Sequence, residues 1–210
     1  MKISILCSSK THPIYPSLKK WIKKQRTHNI KLLTDITKIR SGDILFLISF
    51  DKIVKSEIRS KFKKTLVIHA SDLPAGRGWS PHIWQILDGK NKITVTLFEA
   101  TDKIDSGNVC KKLSFNLEGH ELFDEINSKL FSTELKLMNF TIKNFKKLPS
   151  IPQSNTKTSV YPKRNPDDSE LDPQKTIAEQ FNLIRIADEN RYPCFFYFKG
   201  QRYKLSIRKY

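Results

Sequence analysis

Residues Ile44-Leu-Phe-Leu-Ile48 are an uninterrupted apolar run with nothing polar to turn toward water. A half-exposed strand alternates, so this run predicts a strand from Asp43 to Ile48 buried on both faces, as happens where helices cover both sides of a parallel sheet. Neighbouring segments fit that frame. Ile3 to Cys7, Ile30 to Leu33 and Thr65 to Ile68 read as further short strands. Between them, Tyr15 to Lys24 and Ile53 to Lys61 read as helices, the first turning Leu18, Trp21 and Ile22 inward while its lysines face water. Strand alternating with helix defines an α/β fold with a doubly wound, mostly parallel sheet.

The chain continues with a helix from Pro81 to Leu87, started by Ser80-Pro81 and ended by Gly89, with Ile83 and Trp84 on its buried face. Ile93 to Phe98 and Asn108 to Leu117 follow as strands. Glu118 opens a long amphipathic helix carrying Leu122, Ile126, Leu130, Leu137, Ile142 and Phe145 near helical period. A polar, proline-punctuated stretch, Pro149 to Pro173, leads to a helix, Pro173 to Ala187, and a hairpin of Cys194 to Phe198 with Arg202 to Arg208 around Lys199-Gly200. This predicts a core over residues 1–148 and a small extension over 149–210 packed on it.

Lys and Arg number 38 against 21 Asp and Glu, for a net charge of +17. Such a field suits nucleic acid, an anionic surface or a diphosphate-bearing metabolite, or is simply a solvated lysine-rich surface. Phe46, Phe98 and Phe145 sit in apolar patterns that predict burial, which disfavours a nucleic-acid stacking surface. Cys7, Cys110 and Cys194 are odd in number and widely spaced, with neither a metal pattern nor a disulfide framework, as expected in a reducing compartment. The apolar start before Ser8 is too brief for a signal peptide or a membrane span, so a cytoplasmic protein is expected. No Gly-rich fingerprint follows the first strand, which argues against a nicotinamide dinucleotide enzyme.

Chemistry-bearing residues gather after the fourth strand. His69 falls at its C-terminal end, where open α/β sheets collect ligands. Pro74, Gly76 and Gly78 then hold a polar loop between strand and helix, and a later loop, Glu99 to Gly107, brings Asp102 and Asp105 toward the same end. In the first loop, Ser8 and Lys10 are either phosphate ligands or part of an ordinary capping turn. Trp79 and Ser80 can meet a ligand, or Trp79 can pack as structure.

The run His69-Ala-Ser71-Asp-Leu73-Pro74, then Gly78, Pro81 and Asp105-Ser-Gly107, resembles the signature of the 10-formyltetrahydrofolate-dependent formyltransferases over about the first 145 residues. The resemblance implies a Rossmann-like core, His69 and Asp105 as catalytic residues, and a folate site touching Phe50, Ile53, Asp102 and Asp105, with Phe50 equally readable as core. It also implies Ser8, Lys10, Ser71, Arg77, Gly78, Trp79 and Ser80 around the acceptor, and no metal. One departure stands out: the signature's oxyanion-holding Asn falls at Val67, so either another donor replaces it, from the 74–78 backbone or from a side chain elsewhere, or the chain is weakly active.

Tyr161-Pro-Lys-Arg-Asn-Pro-Asp-Asp-Ser-Glu-Leu-Asp172, with Asn182 to Arg185 and Arg191-Tyr-Pro193, resembles the tail of formyltransferases acting on amino-sugar nucleotides. The 76–81 loop resembles their pseudaminic-acid branch, which implies a UDP-4-amino-4,6-dideoxy-N-acetyl-hexosamine of altrosamine type as acceptor. The alternatives are a methionyl-tRNA-type or other amine formyltransferase, or a basic nucleic-acid-binding protein.

Overall fold

The computed structural model of the protein describes residues 1–154 and 158–210. In chain order the strands are β1 (Lys2–Leu6), β2 (Asn29–Leu33), β3 (Gly42–Ile48), β4 (Phe62–His69), β5 (Arg77–Gly78), β6 (Lys92–Glu99), β7 (Val109–Asn116), β8 (Val160–Tyr161), β9 (Cys194–Phe198) and β10 (Gln201–Leu205). The α-helices are α1 (Tyr15–Lys24), α2 (Ser56–Arg59), α3 (Pro81–Leu87), α4 (Phe123–Lys143) and α5 (Ile177–Arg185).

The main sheet has six strands in the order β2-β1-β3-β4-β6-β7. The first four are parallel to their neighbours, while β6 runs antiparallel to β4 and β7 antiparallel to β6. The Rossmann-like α/β fold is therefore the expected one, with a mixed edge. β3 lies at the centre with Ile44 to Phe46 and Ile48 fully buried, as its unbroken apolar sequence requires.

Alternation along the strands divides the core. Ile3, Ile5, Ile44, Phe46, Ile48, Leu66 and Ile68 face α1 and α4, while Leu6, Leu45, Leu47, Val54 and Phe62 face the other side. Val67 packs against this second cluster. Two helices differ from expectation. α2 is a single turn, shorter than Ile53 to Lys61, and Ser80 is left-handed at φ 43° and makes no capping bond through its side chain. Pro81 does take the first turn of α3. Trp84 is not a core residue: its ring stacks on Tyr161 at 6.3 Å and Nε1 donates to the Pro162 carbonyl at 3.0 Å.

The last third of the chain is tied to the sheet at several points. Glu121, 2% exposed, accepts N–H groups from Glu118 and Gly119, pairs with Lys129 at 2.5 Å and faces Arg185 of α5 at 3.9 Å. Burial would raise this carboxyl, but Lys129 and the amides outweigh it and hold it down to about 2. β8 pairs in parallel with β5, a contact between the extension and the loop after His69. β9 and β10 form the expected hairpin.

Candidate active site

β4 carries His69 to the carboxyl end of the sheet, and the loops converging there fix it. Its Nε2 lies 2.9 Å from the Gly76 carbonyl oxygen, which can only accept, so Nε2 carries the proton and Nδ1 keeps the lone pair. Asp105 Oδ2 stands 3.7 Å from the same Nε2, adjacent without a direct hydrogen bond, and accepts the Gly78 N–H at 2.9 Å. Both side chains are nearly buried, at 11% and 12% exposure, which strengthens the attraction once the imidazole is charged.

Asp105 occupies a left-handed conformation, φ 49°, that disfavours most side chains. Two features hold it. Gly107 fits where a Cβ would come within 1.7 Å of the Glu99 carbonyl, and Gln153 Nε2 donates to the carbonyls of Asp105 and Gly107 at 2.9 and 2.8 Å. Gln153 Oε1 accepts from Arg77 Nη2 at 2.9 Å, linking the Asp105 loop to β5. Gly78 is equally constrained, since a Cβ there would meet the Tyr161 carbonyl at 2.3 Å.

The backbone of the 74–78 loop does not replace the absent Asn. Pro74 has no N–H. Ala75 donates to Asp72 O, Gly76 to Ser159 Oγ, Arg77 to Ser159 O and Gly78 to Asp105 Oδ2. Every amide of the loop is engaged, and Val67 packs against an apolar cluster. Ser71 Oγ and Arg77 Nε are sealed without a hydrogen-bond partner among the described residues.

The folate-side residues are distributed differently from the sequence reading. Phe50 is partly buried and packs on the second core cluster, while Ile53 is 54% exposed. Asp102 is not a free carboxylate: Arg59 Nη1 pairs with it at 2.9 Å and donates to the Val54 carbonyl at 2.6 Å. Arg59 thereby bridges the Phe50–Ile53 loop and the Asp102 loop. Ser8 is not available as a phosphate ligand, because its Oγ donates to the Ser49 carbonyl and bonds Asp51, whose carboxylate would repel an anion. Lys10 is exposed in the adjoining turn. Trp79 is 40% exposed, with Lys163 Nζ 4.9 Å from its ring centre, and is thus outside the core.

Gln153, Ser159 and Arg59 are the site residues that sequence reading missed. His82 and His12 were missed too. His82 Nδ1 is sealed without a hydrogen-bond partner among the described residues, and burial, reinforced by His69, His12, Arg164 and Arg191, depresses this imidazole to about 3. His12 is lowered to about 4 by burial and Arg191, against the opposing pull of Asp188. Among the described residues, no group of three or more His, Cys, Asp or Glu side chains is placed to hold a metal. All three cysteines are buried and unpaired, and no described helix is long and apolar enough to cross a membrane.

A mostly parallel sheet that sets an imidazole and a carboxylate side by side at its strand ends is an arrangement suited to group transfer. The formyl transferase family matches residues 6–142, and the chain belongs to that family. The bifunctional polymyxin resistance protein ArnA of Wigglesworthia glossinidia brevipalpis is 29% identical over 163 residues, 75% of this chain; the chain spans about a quarter (24%) of that relative. Three solved structures share the fold. Methionyl-tRNA formyltransferase from Clostridium thermocellum has a TM-score of 0.83 at 21% identity, covering 99% of this chain and 92% of that one. HypX from Aquifex aeolicus with tetrahydrofolic acid scores 0.82 at 19% identity, covering 99% and 37%. A sugar N-formyltransferase from Shewanella sp FDAARGOS_354 scores 0.73 at 13% identity, covering 99% and 97%.

Proposed function

We propose that this protein transfers a formyl group from 10-formyltetrahydrofolate to the exocyclic amine of a nucleotide-linked amino sugar, with a UDP-4-amino-4,6-dideoxy-N-acetyl-hexosamine as the acceptor of choice. The observation that carries the reading is His69, its Nε2–H fixed on the Gly76 carbonyl and backed by Asp105 at 3.7 Å, so that Nδ1 is the working atom. The tetrahydrofolate complex of HypX and the sugar N-formyltransferase fold support donor and acceptor class. The donor supplies an activated formyl carbon. Partly buried Phe50 and exposed Ile53 offer apolar contact to its flat ring system, on a loop that Arg59 fastens to the Asp102 loop.

His69 does the proton work. As the amine attacks the formyl carbon, the carbonyl electron pair moves to oxygen and the nitrogen becomes an ammonium. Nδ1 takes the ammonium proton, and the resulting imidazolium, stabilised by Asp105, donates Nδ1–H toward the oxyanion. On collapse the formyl carbon parts from the folate nitrogen, which receives the proton back from Nδ1. Asp105 stays ionised throughout and keeps the ring oriented, as the carboxylate does in other imidazole-based sites.

The reading is tested by mass spectrometry of the intact protein with 10-formyltetrahydrofolate and a panel of amino-sugar nucleotides. Gain of one formyl group on a sugar amine, lost in His69→Ala, is the expected result. Formylation of methionyl-tRNA with no sugar nucleotide modified would overturn the acceptor; the high net charge and the Clostridium enzyme's fold are what favour that second reading.

A further inference from the structure

Around His82, itself within electrostatic reach of His69, lie three further cationic or imidazole groups from parts of the chain far apart in sequence. His12 comes from the β1–α1 loop, His82 from the start of α3, and Arg164 and Arg191 from the segments after β8 and α5. Their placement is fixed by contacts. The Trp84–Pro162 hydrogen bond lays the 161–164 segment along α3, and the Arg164 guanidinium sits 5.1 Å from the Tyr192 ring, joining it to the Asp188–Tyr192 turn. His82 lies within electrostatic reach of His69, His12, Arg164 and Arg191.

Such a gathering is costly without a ligand. Arg164 is only 6% exposed, yet its Nε has no hydrogen-bond partner among the described residues; Nη2 alone is held, by Ser169 Oγ at 2.7 Å. His82 Nδ1 is likewise sealed and unpartnered among the described residues. Two carboxylates act on Arg164: Asp168, whose Oδ2 accepts the Asn165 N–H at 2.7 Å, and Asp188, which takes up Arg191 Nε and the amides of Asn190 and Arg191 and leaves the terminal nitrogens of Arg191 for another anion. His12 Nδ1 accepts the Ile14 N–H at 3.3 Å, which puts the proton of the neutral ring on Nε2 as a donor. A buried guanidinium N–H without an acceptor needs a partner such as a bound anion, and arginine forks suit phosphoryl oxygens.

We propose that Arg164, Arg191, His12 and His82 form the subsite for a diphosphate borne by the acceptor, seating its amine against His69. This rests on the nucleotide-linked acceptor proposed above, and it moves phosphate recognition from Ser8 and Lys10 to the C-terminal third of the chain.

The test is calorimetric titration of the full chain with inorganic pyrophosphate and with UDP at one fixed ionic strength, alongside acceptor KM. Arg191→Gln and His12→Gln, at half-exposed positions, are expected to weaken pyrophosphate about tenfold or more and to raise acceptor KM but not folate KM, whereas Lys10→Gln leaves binding unchanged. Arg164→Lys is the buried counterpart, and melting curves establish that each variant is folded. Unchanged pyrophosphate affinity in both Arg191→Gln and His12→Gln overturns the subsite, even if sugar nucleotides are formylated. Weakened pyrophosphate binding in those variants, with no sugar nucleotide formylated by the native chain, upholds the subsite and removes the acceptor reading. Single-stranded RNA that depends on Arg191 and is not displaced by pyrophosphate would also overturn it.

Discussion

Changing Gln153 to Glu isolates what the segment after α4 does for Asp105, the carboxylate proposed to assist His69. The variant keeps an oxygen to accept from Arg77 but has no N–H for the carbonyls of Asp105 and Gly107, now 2.9 and 2.8 Å from a carboxylate that repels them. Two lost N–H···O bonds amount to about 1–3 kcal/mol. The left-handed backbone of Asp105 stores on the order of 1 kcal/mol, which the loop recovers by relaxing. If that energy is what holds Asp105 beside His69, kcat should fall about 5- to 150-fold. Acceptor KM should change little, because Gln153 touches no group assigned to the acceptor diphosphate. Steady-state formyl transfer followed by mass spectrometry gives kcat and KM; a melting curve gives stability. Gln153→Ala should be milder, since water can enter and bond the two carbonyls, and Asp105→Asn added to Gln153→Glu should cost little more. Full kcat in Gln153→Glu, or a loss no larger than the unfolded fraction at assay temperature, would refute the reasoning.

Other outcomes follow from the same geometry. His69→Ala should abolish most transfer and make a further Asp105→Asn change nearly silent, whereas multiplicative losses in the double variant would separate the pair. Trp79→Ala should raise acceptor KM well above any change in folate KM while leaving the melting temperature nearly unchanged, because the ring is 40% exposed; a loss near the 3–5 kcal/mol of a truncated buried Trp would contradict that. Val67→Asn, on the strand face of His69, should leave kcat nearly unchanged at some loss of stability if His69 Nδ1–H already holds the oxyanion, and a rise of about tenfold or more would show that this donor is insufficient. Burial without a charged partner lifts Glu134 to about 8, so the folded chain binds a proton there that the unfolded chain releases above about 4.5. Stability therefore falls as pH rises through that window, and Glu134→Gln should gain more in melting temperature at pH 8 than at pH 5. Equal gains would refute it. His12 and His82 act in the opposite direction, costing stability as pH falls below about 6.5.

The elements that sequence made legible are those whose signal is local. β3 declared itself by an unbroken apolar run, α1 by the spacing of Leu18 and Trp21, and α3 by Pro81 at its first turn. His69 and Asp105 were legible as a pair because the strand-end loop and the Asp-x-Gly turn carry them in a fixed pattern. Gln153 was not: its partners lie 46 to 76 residues away, and two-residue strands such as β5 and β8 carry no periodicity. Ser8 and Asp102 were readable as exposed polar residues, but only the folded chain reveals the Asp51 and Arg59 partners that take them up. Arg164 and Arg191 were legible only as part of the tail pattern, since nothing in one dimension shows that the Arg164 guanidinium is buried while that of Arg191 is exposed.

The pairing of β8 with β5 also orders events in time. A chain emerging from the ribosome completes the six-stranded sheet and α4 by Lys143, but the carbonyl that anchors Arg77 and the amide that steadies Asp105 come from Ser159 and Gln153. Synthesis thus lays down every strand of the main sheet before the residues that tie Arg77 and the Asp105 turn in place, so the sheet is older, on the ribosome, than the fastening of the loops at its carboxyl end.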